Sequence, residues 1–281
     1  MSTGFFTDTT LCIGCKACEV ACKQWNELPS DGFEFTGDSY DNTSQLSGTT
    51  WRHVAFVEQM SLGEEGLRDR WLMLSDVCKH CANAGCMEAC PTGAIVRNEF
   101  GAVFVQPDVC NGCGYCVVSC PFGVIDLIET FDPKGTLYNL ATLRTDRREA
   151  EQTALQATGG VAGKCTLCYD RQRLGVEPAC AKACPTESIQ FGEIDELRER
   201  ARRRVDALQA RGVGASLYGA DDVGGGVGPL HAFFLLTDRP ETYNLPPQPV
   251  LPSTHQRAGY TAAALAVAGL TAVAWAIFRS A

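Results

Sequence analysis

The feature that most constrains this 281-residue chain is the arrangement of its sixteen cysteines, which fall into four tight groups of four with none left over. Group one is Cys12, Cys15, Cys18 and Cys22, within CIGCKACEVAC. Group two is Cys78, Cys81, Cys86 and Cys90, within CKHCANAGCMEACP. Group three is Cys110, Cys113, Cys116 and Cys120, within CNGCGYCVVSCP. Group four is Cys165, Cys168, Cys180 and Cys184, with eleven residues between its second and third members. Such density is unusual in a chain whose composition, 45% hydrophobic and 20% charged, is otherwise that of an ordinary globular protein.

Three chemistries use many cysteines, and spacing separates them. Disulfide scaffolds are short, secreted and bridge scattered cysteines. Here the cysteines are clustered, and Met1 to Leu11 carries neither a basic region nor a long apolar run of the kind a secretory signal needs. Zinc takes two C-x₂-C pairs per ion, which leaves the third thiol of CIGCKAC and CNGCGYC without a task. Cysteines at i, i+3 and i+6 instead wrap a loop around one corner of an iron–sulfur cubane, with successive backbone N–H groups aimed at the anionic core. The fourth cysteine faces away, and in two-cluster ferredoxins it serves the other cluster. The proline after it restrains that cysteine to extended backbone. Four complete quartets therefore predict four [4Fe–4S] clusters. The formal charge of −9 counts every thiol as neutral. With each ligated cluster near −2, the loaded chain stands near about −17, which argues against nucleic acid as a partner.

Between the groups, AIVRNEFGAVFVQ reads as two short strands about an Asn98 to Gly101 turn. Groups two and three form an internal repeat, and CPTESIQFG of group four echoes CPTGAIVRN of group two. Pro29 to Thr50 reads as loop, and Arg144 to Gly163 as loop with a helical piece. Ile194 to Ala210 has helical spacing. Its Arg198, Arg200, Arg202, Arg203 and Arg204 read as a solvated face balanced by Glu196 and Glu199, with docking to an acidic partner or lipid headgroups as the alternative. Gly224 to Gly228 lacks the Lys-Ser/Thr of a phosphate loop and reads as a turn before the buried strand HAFFLL. His80 reads as a surface residue or as a neighbour of the ligands rather than a ligand, and Trp25 and Trp51 as packing. From Ala258 to Phe278 runs an uncharged segment behind a proline-rich spacer, long enough as a helix to cross a hydrocarbon core of about 30 Å. Its Ala264, Ala268, Ala272 and Ala276 form a small-residue face suited to close helix packing.

The segments CIGCKACEVACKQWNELP, SYDNTSQLSGTTWRHVAFVE, SDVCKHCANAGCMEACPTGAI, VCNGCGYCVVSCPFGVI, KCTLCYDR, EPACAKACPTESIQFG, LYGADD, LHAFFLL and YNLPPQP resemble the iron–sulfur (beta) subunits of respiratory, membrane-bound formate dehydrogenases. The cysteine spacings alone are shared with subunits serving dimethyl sulfoxide reductase, polysulfide reductase and hydrogenase. The resemblance implies that groups one and four share their ligands, and likewise groups two and three. The implied sets are Cys12, Cys15, Cys18 with Cys184; Cys165, Cys168, Cys180 with Cys22; Cys78, Cys81, Cys86 with Cys120; and Cys110, Cys113, Cys116 with Cys90. Group one departs from the pattern in carrying Lys23 rather than proline after Cys22.

The resulting expectation is an α+β chain of two ferredoxin-like dicluster modules plus one C-terminal transmembrane helix. The outer module takes residues 1–74 and 132–193 and the inner module 75–131. Residues 194–257 supply a helix, a buried strand and a linker, and residues 258–278 the span. The resemblance further implies a non-catalytic relay, with no catalytic residue on this chain. Its partners would be a large Mo/W-bis-pterin catalytic subunit, a membrane cytochrome b (gamma) subunit and the lipid bilayer. It would be held in the cell membrane with its soluble part on the periplasmic face, carried there by a twin-arginine partner, a cytoplasmic-facing complex being the alternative. Two rivals are a self-standing membrane polyferredoxin and a zinc-stabilised scaffold.

Overall fold

In the computed structural model, residues 2–30, 41, 43–63, 66–128 and 160–280 are described. The mixed helix and strand content centres on a four-stranded sheet that gathers segments from both ends of the chain. Strand β1 (Thr3–Asp8) lies at its middle. Along one edge it pairs antiparallel with β8 (Ile189–Glu193), Phe5 opposite Phe191. Along the other it pairs parallel with β10 (Ala232–Leu236), Phe6 opposite Phe233, and β9 (Ser216–Tyr218) closes the sheet.

AFFLL (Ala232–Leu236) is continuously apolar because both faces of this sheet are covered. Side chains alternate across a strand, so Phe233 and Leu235 face one way while Ala232, Phe234 and Leu236 face the other. On the first face lies the long helix Ile194–Gln209, whose Ile194, Leu197, Ala201 and Leu208 pack on Phe6 and Phe233. The rings of Phe6 and Phe233 stack with centroids 5.4 Å apart. On the second face Phe5, Ile189 and Ala232 pack against Cys18, Cys78, Cys165 and Cys180. Residues 194–257 thus contribute strands to the same sheet as the segments flanking groups one and four.

The arginines of the long helix are paired on the surface. Arg198 meets Asp195, Arg202 meets Asp221, Arg203 meets Glu199, and Arg200 donates to Gln190. Arg204 reaches back to the buried Asp8 at 2.8 Å.

The hairpin expected about Asn98 forms as β4 (Ile95–Arg97) and β5 (Val103–Val105). The Asn98 side chain accepts from the amides of Phe100 and Ala102. Two elements depart from the sequence reading. A long hairpin, β2 (Arg52–Gly63) with β3 (Gly66–Val77), joins groups one and two, a stretch for which the sequence reading named no strands. Val161–Gly163, taken as loop, is strand β7 and pairs with β6 (Asp126–Ile128), since it borders the group-three loop. The helical piece expected within Arg144 to Gly163 falls on 144–159, outside the described residues; Pro29 to Thr50 shows no helix or strand among its described residues.

Short helices follow the cysteine loops: α1 (Ala17–Trp25), α2 (Gly85–Glu88), α3 (Tyr115–Ser119), α4 (Tyr169–Arg173) and α5 (Ala179–Lys182). The helix Ile194–Gln209 is α6, and α7 runs Ser253–Ser280. Within α7, Gly259–Arg279 has mean hydropathy 1.9 and none of it is buried against the chain. It is a candidate membrane span by length and composition, not a core helix of the described fold.

Candidate metal centres

Each cysteine loop turns at the same place. The second residue after the first cysteine of every group has positive φ: Gly14 (66°), His80 (45°), Gly112 (69°) and Leu167 (57°). A left-handed residue in such a turn makes consecutive N–H groups converge, forming a concavity for an anion. Glycine does this freely, whereas His80 and Leu167 carry strain of about 1–3 kcal/mol each. At Gly14 space also demands glycine, since a Cβ there would stand 2.6 Å from the Phe56 ring. The glycines of groups one and three signalled this turn in sequence; His80 and Leu167 gave no such signal.

None of the sixteen cysteines forms a disulfide, and they gather into four neighbourhoods that cross between sequence groups. Cys78, Cys81, Cys86 and Cys120 line one cavity of about 340 Å³. Cys12, Cys15, Cys18 and Cys184 line another of about 290 Å³. Cys22 lies in electrostatic reach of Cys165, Cys168 and Cys180, and Cys116 of Cys110, Cys113 and Cys90. The neighbourhoods also touch in series. Cys18 reaches Cys180, Cys165 reaches Cys78, and Cys86 reaches Cys116. The order along the row is therefore group one, four, two, three.

The thiols fit a multi-iron cluster better than a lone ion. A zinc site draws its sulfurs to about 2.3 Å from one point. Among the described residues no three Cys, His, Asp or Glu side chains converge in that way; the thiols ring a volume instead. Three buried nitrogen donors, on two side chains, are also left without partners at these sites. The Nε and Nη2 of Arg52 have no hydrogen-bond acceptor, nor does Nε2 of His80. His80 is buried, not a surface residue, and lines the group-two cavity. Its Nδ1 accepts from the Val103 amide at 3.1 Å, which leaves the proton on Nε2. Burial, with the nearby Lys164 charge, holds this imidazole neutral by pushing its pKa well down. Orphaned donors cost free energy when buried, and an anionic sulfide core would satisfy them.

Without metal these thiols resist ionisation. Burial pushes Cys18 and Cys86 up to about 12 and Cys116 and Cys168 to about 11. Burial likewise raises Cys12, Cys22, Cys81, Cys120 and Cys165. Cys90 goes the other way. Burial is the largest single influence and raises it, but hydrogen bonds from the Thr92 hydroxyl and from the backbone at Ile95, Thr92 and Ala94 together prevail. Metal coordination is what deprotonates such thiols, so loading releases protons.

Hydrogen bonds already point at several sulfurs. Leu167 N–H lies 3.3 Å from Cys165 Sγ, Ala162 N–H 3.5 Å from Cys110 Sγ, and Lys164 Nζ 3.4 Å from Cys78 Sγ. The Cys-Pro-Thr echo places Thr92 Oγ1 3.6 Å from Cys90 and Thr186 Oγ1 3.8 Å from Cys184. Ser75 Oγ, 3.3 Å from Cys18, also accepts from Arg52 Nη1 at 3.0 Å. Sequence reasoning missed Arg52, Ser75 and Lys164. Lys164 had one signal, its position directly before Cys165. The tryptophans pack, Trp51 against the cysteine-bearing core and Trp25 beneath the Arg171 guanidinium at 4.2 Å.

Two family models described as 4Fe-4S dicluster domain match the chain, one over residues 11–94 and the other over 69–159 and 150–194. The formate dehydrogenase iron–sulfur subunit of Haemophilus influenzae is 38% identical over 247 residues, 86% of this chain and 68% of that protein. The chain belongs to the formate dehydrogenase iron–sulfur subunit family. The nitrate-inducible formate dehydrogenase iron–sulfur subunit of Escherichia coli is likewise 38% identical, over 86% of this chain and 71% of that protein. The B subunit of the anaerobic dimethyl sulfoxide reductase of Escherichia coli is 32% identical over 70% of this chain and 76% of that protein. Within the formate dehydrogenase family, then, the four thiol neighbourhoods are the feature to explain.

Proposed function

We propose that this chain is the electron relay of a formate dehydrogenase complex, holding four [4Fe–4S] clusters in the order group one, four, two, three. The ligand sets are Cys12, Cys15, Cys18 and Cys184; Cys165, Cys168, Cys180 and Cys22; Cys78, Cys81, Cys86 and Cys120; and Cys110, Cys113, Cys116 and Cys90. When bound, the clusters supply one-electron transfer at potentials that the protein tunes through hydrogen bonding and burial. Cross-ligation binds groups one and four into an outer module and groups two and three into an inner one.

The observation that carries this reading is the exposure profile of the row. Cys15 and Cys113, at its two ends, are exposed, whereas Cys22, Cys165, Cys168 and Cys180 in its middle are all buried. Such a row exchanges electrons at its ends and shields them between. The partners are then a large Mo/W-bis-pterin catalytic subunit at one end and a membrane cytochrome b with the quinone pool at the other. The anchor supports a direction. Two residues before α7, Leu251 packs beside the start of α2: a Cβ on Gly85 would stand 3.2 Å from Leu251 Cδ2. The candidate membrane span therefore leaves the fold next to the inner module, which makes the group-three end the membrane end. Residues 258–278 cross the bilayer in this reading, and the soluble part faces the periplasm.

Purification from detergent-solubilised membranes tests the proposal. About sixteen iron and about sixteen acid-labile sulfide per chain, with a large pterin-bearing chain and formate–dye activity in the same fraction, are expected. Zinc without sulfide overturns the clusters. A dimethyl sulfoxide-reducing large chain in place of the formate-oxidising one would shift the assignment to that related system.

A further inference from the structure

Two buried cations in the row lack what a buried cation ordinarily has. Lys79, 1% exposed, is paired with Asp76. Arg52 is as deeply buried, at 1%, yet among the described residues it meets no carboxylate. Its Nη1 donates to Ser75, its plane lies 4.8 Å from the Phe5 ring, and its Nε and Nη2 donate to nothing. Around it stand Cys18 of one neighbourhood and Cys22, Cys165 and Cys180 of the next. Lys164, 2% exposed, likewise has no carboxylate partner among the described residues. Its Nζ donates to Cys78 Sγ and to the carbonyls of Val103 and Cys165. It thus lies between the group-four and group-two neighbourhoods. An unpaired charge is costly in the interior unless an opposite charge arrives.

We propose that Arg52 and Lys164 are fixed counter-charges for the loaded row. Each stands at one of the two junctions flanking the group-four cluster and raises the reduction potentials of the clusters on either side of it. An electron entering a cluster adds negative charge to an already anionic centre. A permanent positive charge beside it, at low local dielectric, makes that step more favourable. The electron passes from one cluster to its neighbour, and neither side chain gains or loses a proton. The inference rests on the cluster row proposed above. It goes further in assigning residues outside the cysteine motifs to particular junctions. Arg52 stands by Cys18, Cys22, Cys165 and Cys180 and Lys164 by Cys78, Cys86 and Cys165, so the group-three cluster is not a direct neighbour of either.

The test is an EPR-monitored redox titration of the anaerobically purified complex, with iron and sulfide analysis of every sample. Arg52→Gln is expected to lower the potentials of the group-one and group-four clusters. Lys164→Gln is expected to lower those of group four and group two. Each shift is expected to correspond to at least a tenfold loss in the equilibrium constant for reduction, about 59 mV for a one-electron couple. One signal therefore moves in both variants and the group-three signal in neither. Arg52→Lys and Lys164→Arg, which keep the charge, should stay within a tenfold change. Full iron content with unmoved potentials, or a uniform shift of all four signals, overturns the proposal. If a glutamine variant loses iron, recovery of iron and potential in its charge-conserving counterpart supports the role. Equal loss in both reduces that residue to packing and overturns it. Wild-type protein without iron and sulfide would instead sink the cluster reading itself.

Discussion

Groups two and three follow one another along the chain, joined by the small β4–β5 hairpin and packed through α2 and α3. Groups one and four are separated by everything between Cys22 and Cys165, and they meet because β1 pairs with β8 and α1 packs on α5. The inner pair is assembled by local contacts between three-residue strands. The outer pair is assembled by a sheet with a full core on each face, and it carries the orphaned Arg52. Locally closed sites need little scaffold; sites closed over long sequence separation need a sheet whose burial offsets the larger loop-closure entropy. The greater mass of the fold thus goes to holding the outer centres together.

The sharpest way to break this comparison is Cys22→Ser. Cys22 belongs to group one by sequence but stands with Cys165, Cys168 and Cys180. The expected result is loss of about four irons and of the group-four EPR signal, with formate-to-quinone turnover at background while formate–dye activity of the large subunit persists. Loss of the group-one signal with the group-four signal intact would show that ligands are not exchanged across the outer pair.

Ending the chain at Pro252 removes α7, which leaves the fold beside the inner pair. The truncated protein is expected to move from the membrane to the soluble fraction on fractionation, with iron content unchanged. Retention in the membrane at wild-type levels would show that α7 is not the anchor. Iron lost from groups two and three would show that the inner pair depends on the helix for more than location.

Stability sharpens the contrast at a smaller scale. Phe233, fully buried between β1 and α6, is expected to cost about 3–5 kcal/mol on Phe233→Ala, lowering the Tm by about 10 °C. Ile95→Val in the inner hairpin should cost only about 0.5–1.5 kcal/mol. Calorimetry of the loaded proteins checks both values, and a Phe233→Ala loss no larger than the Ile95→Val loss would show that the sheet core does not carry the outer pair.

What the sequence disclosed follows the same division. The inner hairpin was legible because Asn98 and Gly101 mark its turn and Ile95, Val103 and Val105 alternate around it. HAFFLL was legible as buried because five apolar residues follow His231 without a polar side chain among them. The pairing of β1 with β8 and β10 was not, since Thr3–Asp8 carries no sign of partners nearly the whole chain away. Nor was Arg52 legible. In TTWRHV it looks like any surface arginine, and only the fold brings it between thiols of two groups. The sixteen cysteines were visible at once; spacing alone left open which thiol neighbours which, and the family resemblance implied the same sets that the tertiary contacts bring near one another.

The smallest expected effect discriminates most finely. Thr92 and Thr186 occupy equivalent places in the two Cys-Pro-Thr segments, and each sets a hydroxyl near the preceding cysteine, at 3.6 Å in the inner pair and 3.8 Å in the outer. Hydrogen bonds at such length to sulfur are weak, so Thr92→Val and Thr186→Val should each lower a single potential by less than a tenfold change in reduction constant, below about 59 mV. The cluster affected is the informative part. Cys90 stands with group three and Cys184 with group one, so Thr92→Val should move the group-three signal and Thr186→Val the group-one signal. A shift in the group-two signal from Thr92→Val would assign Cys90 to its own sequence group. The inner pair would then be two separate sites placed side by side, and the row would lose the shared ligands that fix its spacing.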